Sequence, residues 1–321
     1  MKKLLIAMFC LGVLASCDDA PKKRSLRASS GIINTVKVVL EKEQWQGLVG
    51  DALRKVLAVP VDGLPREEPS FAIDQIDPDS FKGFHKESRI FLRLEKGATA
   101  VSIDKDVYAS PQTAITITGN SGLEMATAIV QNRQEIIAAF KAQELAENER
   151  RIKLSLKKTD SLRASFGVSL QFPSAYKYEQ QGKDFFWMRK ELQRNGNMNL
   201  TVYEVPLKTI DRDTFTIARI VRMRDSIAGK NIPVGEGRFQ TERAFSPYLS
   251  KTEIDGHFAW ETKGTWDIQG RYRAGPFLNY AIKDEKNGRY LVLEGFIYSP
   301  SQEQRNNMME LEAILRSATL E

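Results

Sequence analysis

Cysteine and histidine are nearly absent from this chain, with two of each in 321 residues. Neither His85 nor His257 has a cysteine, histidine or carboxylate partner at metal-ligand spacing. No H-E-x-x-H occurs, so zinc hydrolysis lacks its usual ligands. No G-x-S-x-G elbow occurs either, which removes one common route to an activated serine. Cys10 lies inside the apolar N-terminal stretch and Cys17 at its end. The remainder therefore has no thiol for a disulfide or a nucleophile, and a packed core must hold the fold. Long apolar runs are missing too. Residues 4–15 are interrupted by Gly12 and end before Asp18 and Asp19, well short of the roughly 20 apolar residues that a spanning helix needs. Charge of one sign is scarce. The formal net charge of +6 falls to +4 without Lys2 and Lys3, and bases alternate with acids as in "KEQWQ" and "RMRD". Nucleic-acid binding needs clustered Lys and Arg, so no nucleic-acid partner is expected. No cofactor is expected either, because "VGEGR" at 234–238 lacks the Gly-Lys-Ser/Thr ending of a phosphate loop.

What is present begins with the leader. Lys2 and Lys3, an apolar core and the small pair Ala15-Ser16 form a secretory signal. The order Leu14-Ala15-Ser16-Cys17 resembles a bacterial lipobox. That resemblance implies cleavage before Cys17, a diacylglycerol on its sulfur and acylation of the new amine. Several acyl chains, at about 0.8 kcal/mol per buried CH2, make a firm anchor. The membrane is thus an expected partner through Cys17, residues 1–16 are the leader, and 17–30 are a flexible tether. The competing reading is an ordinary signal peptide with an incidental cysteine. Asp18-Asp19 resembles an inner-membrane retention signal under one sorting system and part of a surface-export signal under another. The reading leans to the outer membrane and leaves the face open.

Removal of sixteen residues leaves 305, enough for two domains. A hydrophobic content of 42% with 27% charged residues fits a globular chain. The expected fold class is α+β in both halves, 31–155 and 160–321, each an antiparallel or mixed sheet with packed helices. In the first, "INTVKVVLE" alternates as a strand and Trp45, Leu48, Val49, Ala52, Leu53 and Val56 recur at helical spacing. "SFAIDQI", "RIFLRLE", "TAVSIDKDVY" and "TAITITG" read as strands. Asn120 or Ser121 with Glu124 can cap a long helix, which beyond Ala142 is expected to run on into solvent. In the second half, "SFGVSLQFPSAYKYEQQGKDFFWMRKEL" reads as two strands split by a Pro-containing turn, and "NLTVYEVPL" as a third. Asp213 can cap a helix ended by Gly229. Three strands follow, "GHFAWETKGTW", "GRYRAGPFLNYAIKD" and "GRYLVLEGFIYSP". Ser301 and Gln304 suit a capping box for the closing helix, whose buried stripe is Met308, Leu311, Ile314 and Leu315.

Three constellations invite a chemical reading. Ser155/Lys158 and Ser174/Lys177 match S-x-x-K but lack its supporting elements. Asp104/Asp106 and Asp211/Asp213 sit two apart, which on a strand places both acids on one face. They suit acid–base work or calcium, or equally a solvated strand edge. Trp260, Trp266, Arg271, Tyr272, Arg273, Phe277 and Tyr280 crowd one region. Aromatics and arginines dominate binding hot spots, which makes these seven the candidate surface for a glycan or an envelope protein. The stronger reading is that they pack into the sheet, as aromatic strand residues usually do.

Trp266, Gly270, Gly275-Pro276-Phe277, Tyr280, Leu293-Glu294-Gly295-Phe296 and the helix at 311–315 resemble the C-terminal signature of an uncharacterised family of Bacteroidetes-type lipoproteins. That resemblance implies no activity or catalytic residue. In element order the second half is also similar to PsbP/Mog1-like α/β/α sandwiches, folds that mostly serve binding or assembly. The expected function is a membrane-anchored envelope lipoprotein acting as a non-enzymatic binding or scaffolding module. The alternative is a hydrolase or isomerase of an envelope polymer, with Asp104 and Asp106 as its acid–base pair.

Overall fold

A computed structural model describes residues 25–211 and 214–321. The leader, Cys17 and Asp213 lie outside the described residues. In chain order the first half contains β1 (Arg27–Ala28), β2 (Thr35–Val39), α1 (Lys42–Gln46), α2 (Leu48–Leu57), β3 (Ala72–Ile76), β4 (Ile90–Glu95), β5 (Ala100–Lys105), β6 (Ala109–Ser110), β7 (Thr113–Thr118), α3 (Gly122–Gln131) and α4 (Arg133–Ile152). Its sheet runs β3-β2-β4-β7-β5, parallel except for the edge strand β5. Period-two alternation sorts the side chains. Val36, Val38, Ile90, Leu92, Ile115 and Ile117 face the helices, while Val39, Phe91 and Ala114 face Phe81 on the other side.

Two expectations for this half fail. The tether is folded in from residue 27, because β1 pairs with β6 and Ser30 bridges Ser88, which gives the incoming backbone its partners. The long helix is two helices meeting at Asn132. Its start is as expected, with Ser121 Oγ accepting from Glu124 N–H and the Glu124 carboxylate accepting from Asn120 N–H. Its end is not solvated. Past Ala142, α4 buries Gln143, Glu144, Glu147 and Asn148, since Thr113 and Arg89 meet Gln143 and Glu144 inside.

The second half continues with α5 (Asp160–Phe166), β8 (Val168–Ser169), β9 (Lys177–Gln181), β10 (Phe185–Glu191), β11 (Asn197–Pro206), α6 (Thr216–Asn231), β12 (Phe239–Thr241), β13 (Tyr248–Ile254), β14 (His257–Ile268), β15 (Arg271–Asp284), β16 (Arg289–Tyr298), α7 (Arg305–Arg316) and β17 (Thr319–Leu320). Eight antiparallel strands form one sheet, β12-β14-β15-β16-β11-β10-β9, with β13 also on β14. One face packs Leu278, Tyr280, Ile282, Leu291 and Leu293 against α5 and α7. The other packs Phe277, Ala281, Tyr290, Val292 and Phe296 against α6. The fold is α+β, with helices on both faces of the second sheet.

The signature glycines record close approaches. A Cβ on Gly275 would fall 1.9 Å from the Ile297 carbonyl oxygen, and one on Gly295 would fall 2.9 Å from Leu311 Cδ2. Three boundaries differ from expectation. "VSLQFP" gives only the two-residue β8, paired with β17, and α6 passes through Gly229 to Asn231. The closing helix starts at Arg305 rather than Ser301, because its cap comes from elsewhere in the chain, as described below. Among the described residues no helix is long and apolar enough to cross a membrane.

Candidate functional site

The seven aromatic and arginine candidates do not form one surface. Phe277 and Tyr280 are three apart on a strand and so enter opposite cores. Trp266 is buried, stacked on Phe239 at 5.0 Å, with its indole N–H donating to Ile297 O. Trp260 is half-buried, edge-on to Phe258. Outside remain Arg271, paired with Glu236, the fully exposed Tyr272, and Arg273, whose guanidinium lies 4.5 Å from the Tyr298 ring. Trp266 and Arg273 do meet at a cavity of about 100 Å³.

Asp104/Asp106 and the two S-x-x-K serines are structural. Asp104 accepts from Ser102 Oγ, and Asp106 accepts from Ser110 Oγ and Gln112 N–H, which binds the acid into its own turn. Ser155 and Ser174, the two S-x-x-K serines, hydrogen-bond each other at 2.6 Å on the surface. Among the described residues no cluster of three His, Cys, Asp or Glu could hold a metal.

What the sequence does not reveal is a seam between the halves, where helix α7 meets α4 and the Pro/Gly-rich segment after α2. The Glu68 carboxylate accepts from Gln304 N–H (2.8 and 3.0 Å) and Arg305 N–H (2.8 Å), and so caps α7 from the first half. An anion there satisfies donors that the helix itself cannot. Arg305 Nη1 donates to Pro69 O, and Asn34 Nδ2 to Asn306 Oδ1. Glu68→Ala is expected to lower stability by about 1 kcal/mol, the usual worth of an N-cap, with Glu68→Gln losing less. Urea unfolding of the two variants beside the parent checks this.

The seam encloses a cavity of about 270 Å³. Val59, Val61, Phe71 and Ile137 line it from the first half, and Met308 and Met309 from α7. Ligand sites favour such concave, mostly apolar joints. One wall is charged. Lys141 pairs with Glu312 at 2.8 Å and Lys263 with Glu261 at 2.9 Å, while Tyr280 donates to Glu261 at 2.7 Å. Burial pulls the Lys263 ammonium down, but Glu312, Glu261 and Asp62 together outweigh it and hold its pKa above the ordinary value. Burial likewise pushes the Glu261 carboxyl up, and Lys263 and Tyr280 more than offset that, so its pKa lies below the ordinary one. Burial, with Glu312 and Glu261 nearby, drives the Tyr280 phenol well above its usual range. These groups stay charged, or for Tyr280 protonated, around neutrality. They form a polar wall of fixed charge beside the cavity.

A family model described as a domain of unknown function, DUF4837, matches residues 155–317. A second, described as the domain of unknown function DUF8532, matches residues 29–153. No curated protein matches the chain. Among solved structures the chain is similar to PsbP of the cyanobacterium Synechocystis sp. PCC 6803, at 13% identity over 52% of this chain and 93% of that one, with a TM-score of 0.36. It is also similar to the Ran-binding protein Mog1p of Saccharomyces cerevisiae, at 9% identity over 48% and 90%, TM-score 0.31. LpqN of Mycobacterium tuberculosis, described as involved in cell envelope biogenesis, matches at 15% identity over 48% and 82%, TM-score 0.29.

Proposed function

Because the chain belongs to the DUF4837 family, whose description carries no reaction, we propose a function from the leader and the seam: an envelope lipoprotein, anchored through Cys17, whose two halves form a non-catalytic binding module. The observation that carries the binding reading is the cavity lined from both halves beside a polar wall of paired charges. A hydrolase would need a nucleophile or a general acid with freedom to exchange protons in a cleft. The acid pair that suited that role, Asp104 and Asp106, is spent on its own strand and turn.

The anchor reading rests on the lipobox-like order ending in Cys17. Arg27, where β1 begins, is the tenth residue after Cys17. At about 3.5 Å per residue that contour is at most about 35 Å, so an acylated Cys17 would keep the folded body close to the bilayer, on the outer membrane in this reading. Its partners there are the lipid itself and an envelope protein or glycan. Palmitate labelling of cells is expected to mark the parent chain and not Cys17→Ala. Protease treatment of intact cells then assigns the face. Equal labelling of both chains, or of neither, would remove the anchor.

A further inference from the structure

We infer that the seam cavity binds a single-chain acyl amphiphile whose head group carries one negative charge and a hydrogen-bond donor. This rests on the seam being the binding site, and adds the chemistry of its occupant.

The cavity's shape and lining fit a hydrocarbon chain. Its 270 Å³, at about 30 Å³ for each water-sized unit, holds roughly nine such units, which takes the greater part of a twelve-carbon chain and leaves its head-group end at the lip. The apolar lining includes Met308 and Met309 side by side on α7. Unbranched thioether side chains adapt to an irregular or variable chain. Val59 is exposed at the rim, which leaves an apolar lip open to water where a chain could enter.

The polar groups set the head. The charged residues of the lining are Lys141, Lys263 and Arg305 against Asp62 and Glu312, and Glu261 pairs with Lys263 beside them, so the anion's place is set by which cation is accessible. Lys141 is the most accessible of the paired cations, with its side chain about a third exposed, and Glu312 keeps Arg316 as a second partner at 3.2 Å. An incoming anion can therefore share the Lys141 ammonium without stranding Glu312. The donor requirement comes from Asn34. Asn34 is one of the lining residues; its side chain is completely buried and gives its Nδ2 hydrogen to Asn306, while its Oδ1 has no hydrogen-bond partner among the described residues. A buried carbonyl oxygen without a donor is costly, and an amide N–H next to the ligand's anionic group would satisfy it. An acyl chain joined through an amide to a carboxylate has all three features.

The test uses the chain from residue 18 onward, which keeps every described residue and needs no detergent. Isothermal titration with dodecanoylglycine, dodecanoate and dodecanol below their aggregation limits is expected to rank them in that order of affinity. Lys141→Met should weaken the two anions about tenfold, the worth of one charge-assisted hydrogen bond, and leave dodecanol unchanged. Val61→Trp, on the half-exposed segment beside the cavity, should abolish binding of all three while leaving the urea midpoint in place. Equal affinity for dodecanol and the anions, with Val61→Trp still blocking, would overturn the head-group assignment and leave the seam as a binding site. Binding that survives Val61→Trp, or no binding of any probe, would overturn both.

Discussion

Glu294→Ala is expected to destabilise the second half by about 3–5 kcal/mol, the range for removing one partner of a buried ion pair. The reason is what it would abandon. Arg224 is fully buried on α6, and its Nε donates to both oxygens of Glu294 at 2.9 Å. Its Nη1 donates to Thr241 Oγ1, and its guanidinium lies 3.9 Å from the Phe277 ring and 5.0 Å from that of Phe239. Glu294 also accepts from Asn279 Nδ2 at 3.0 Å. With the carboxylate gone, a guanidinium and an amide remain inside an apolar layer without their acceptor. Domain stabilities run to about 5–15 kcal/mol, so such a loss brings the variant near its unfolding transition in buffer. Glu294→Gln keeps an acceptor and should lose less. The double replacement Arg224→Met with Glu294→Leu should recover part of the loss, because a buried pair removed whole costs less than a pair broken. Urea midpoints at constant m-value check the series. Equal losses for Glu294→Ala and the double variant would assign the effect to packing volume and not to charge.

That network shows what the sequence could and could not tell. Phe277, Glu294 and Gly295 were legible as parts of a family signature, and the structure gives each a packing role: ring over Arg224, counter-ion to Arg224, and room for Leu311. Their partner Arg224 sits in "RMRD", which reads as interleaved surface charge. Alternation identified β2, β4, β7, β15 and β16 because their two faces enter apolar cores, and hydropathy responds to that. It missed β13, whose residues are mostly exposed and whose place is set by pairing with β14. The Ser121/Glu124 box was readable because both members are local. The cap of α7 was not, since Glu68 comes from 236 residues away in the chain. The same limit hid the seam. Its cavity depends on α4 and α7 packing together, a contact between positions with no common local pattern. The aromatic cluster shows the converse: packing is the reading that Trp266, Phe277 and Tyr280 follow, and nearness in sequence along β14 and β15 places residues on both faces of the sheet.

The second half of α4 makes the strongest prediction for the first domain. Glu144→Ala is expected to cost about 3–5 kcal/mol as well, although the residue lies in a stretch, "ELAENERR", that reads as solvated helix. Its carboxylate is completely buried and takes a two-pronged bond from Arg89, Nε at 2.8 Å and Nη2 at 3.0 Å. It also accepts the backbone N–H of Asn34 at 2.9 Å, and Arg89 in turn donates to Gly31 O. One carboxylate therefore joins α4, the start of β4 and the segment leading into β2. Glu147 is the nearest substitute, 3.9 Å from Arg89, but it is already engaged by Arg150 and Arg151, whose hydrogen bonds outweigh its burial and hold its pKa at about 2. It cannot take over without giving up those partners. Glu144→Ala should accelerate amide exchange at Asn34 and expose residues 25–34 to protease before the rest of the chain unfolds. Glu147→Ala, whose arginines are half-exposed, should leave that segment protected. If both variants open it equally, the tie through Asn34 N–H is not what holds the incoming chain, and the pairing of β1 with β6 must carry it instead.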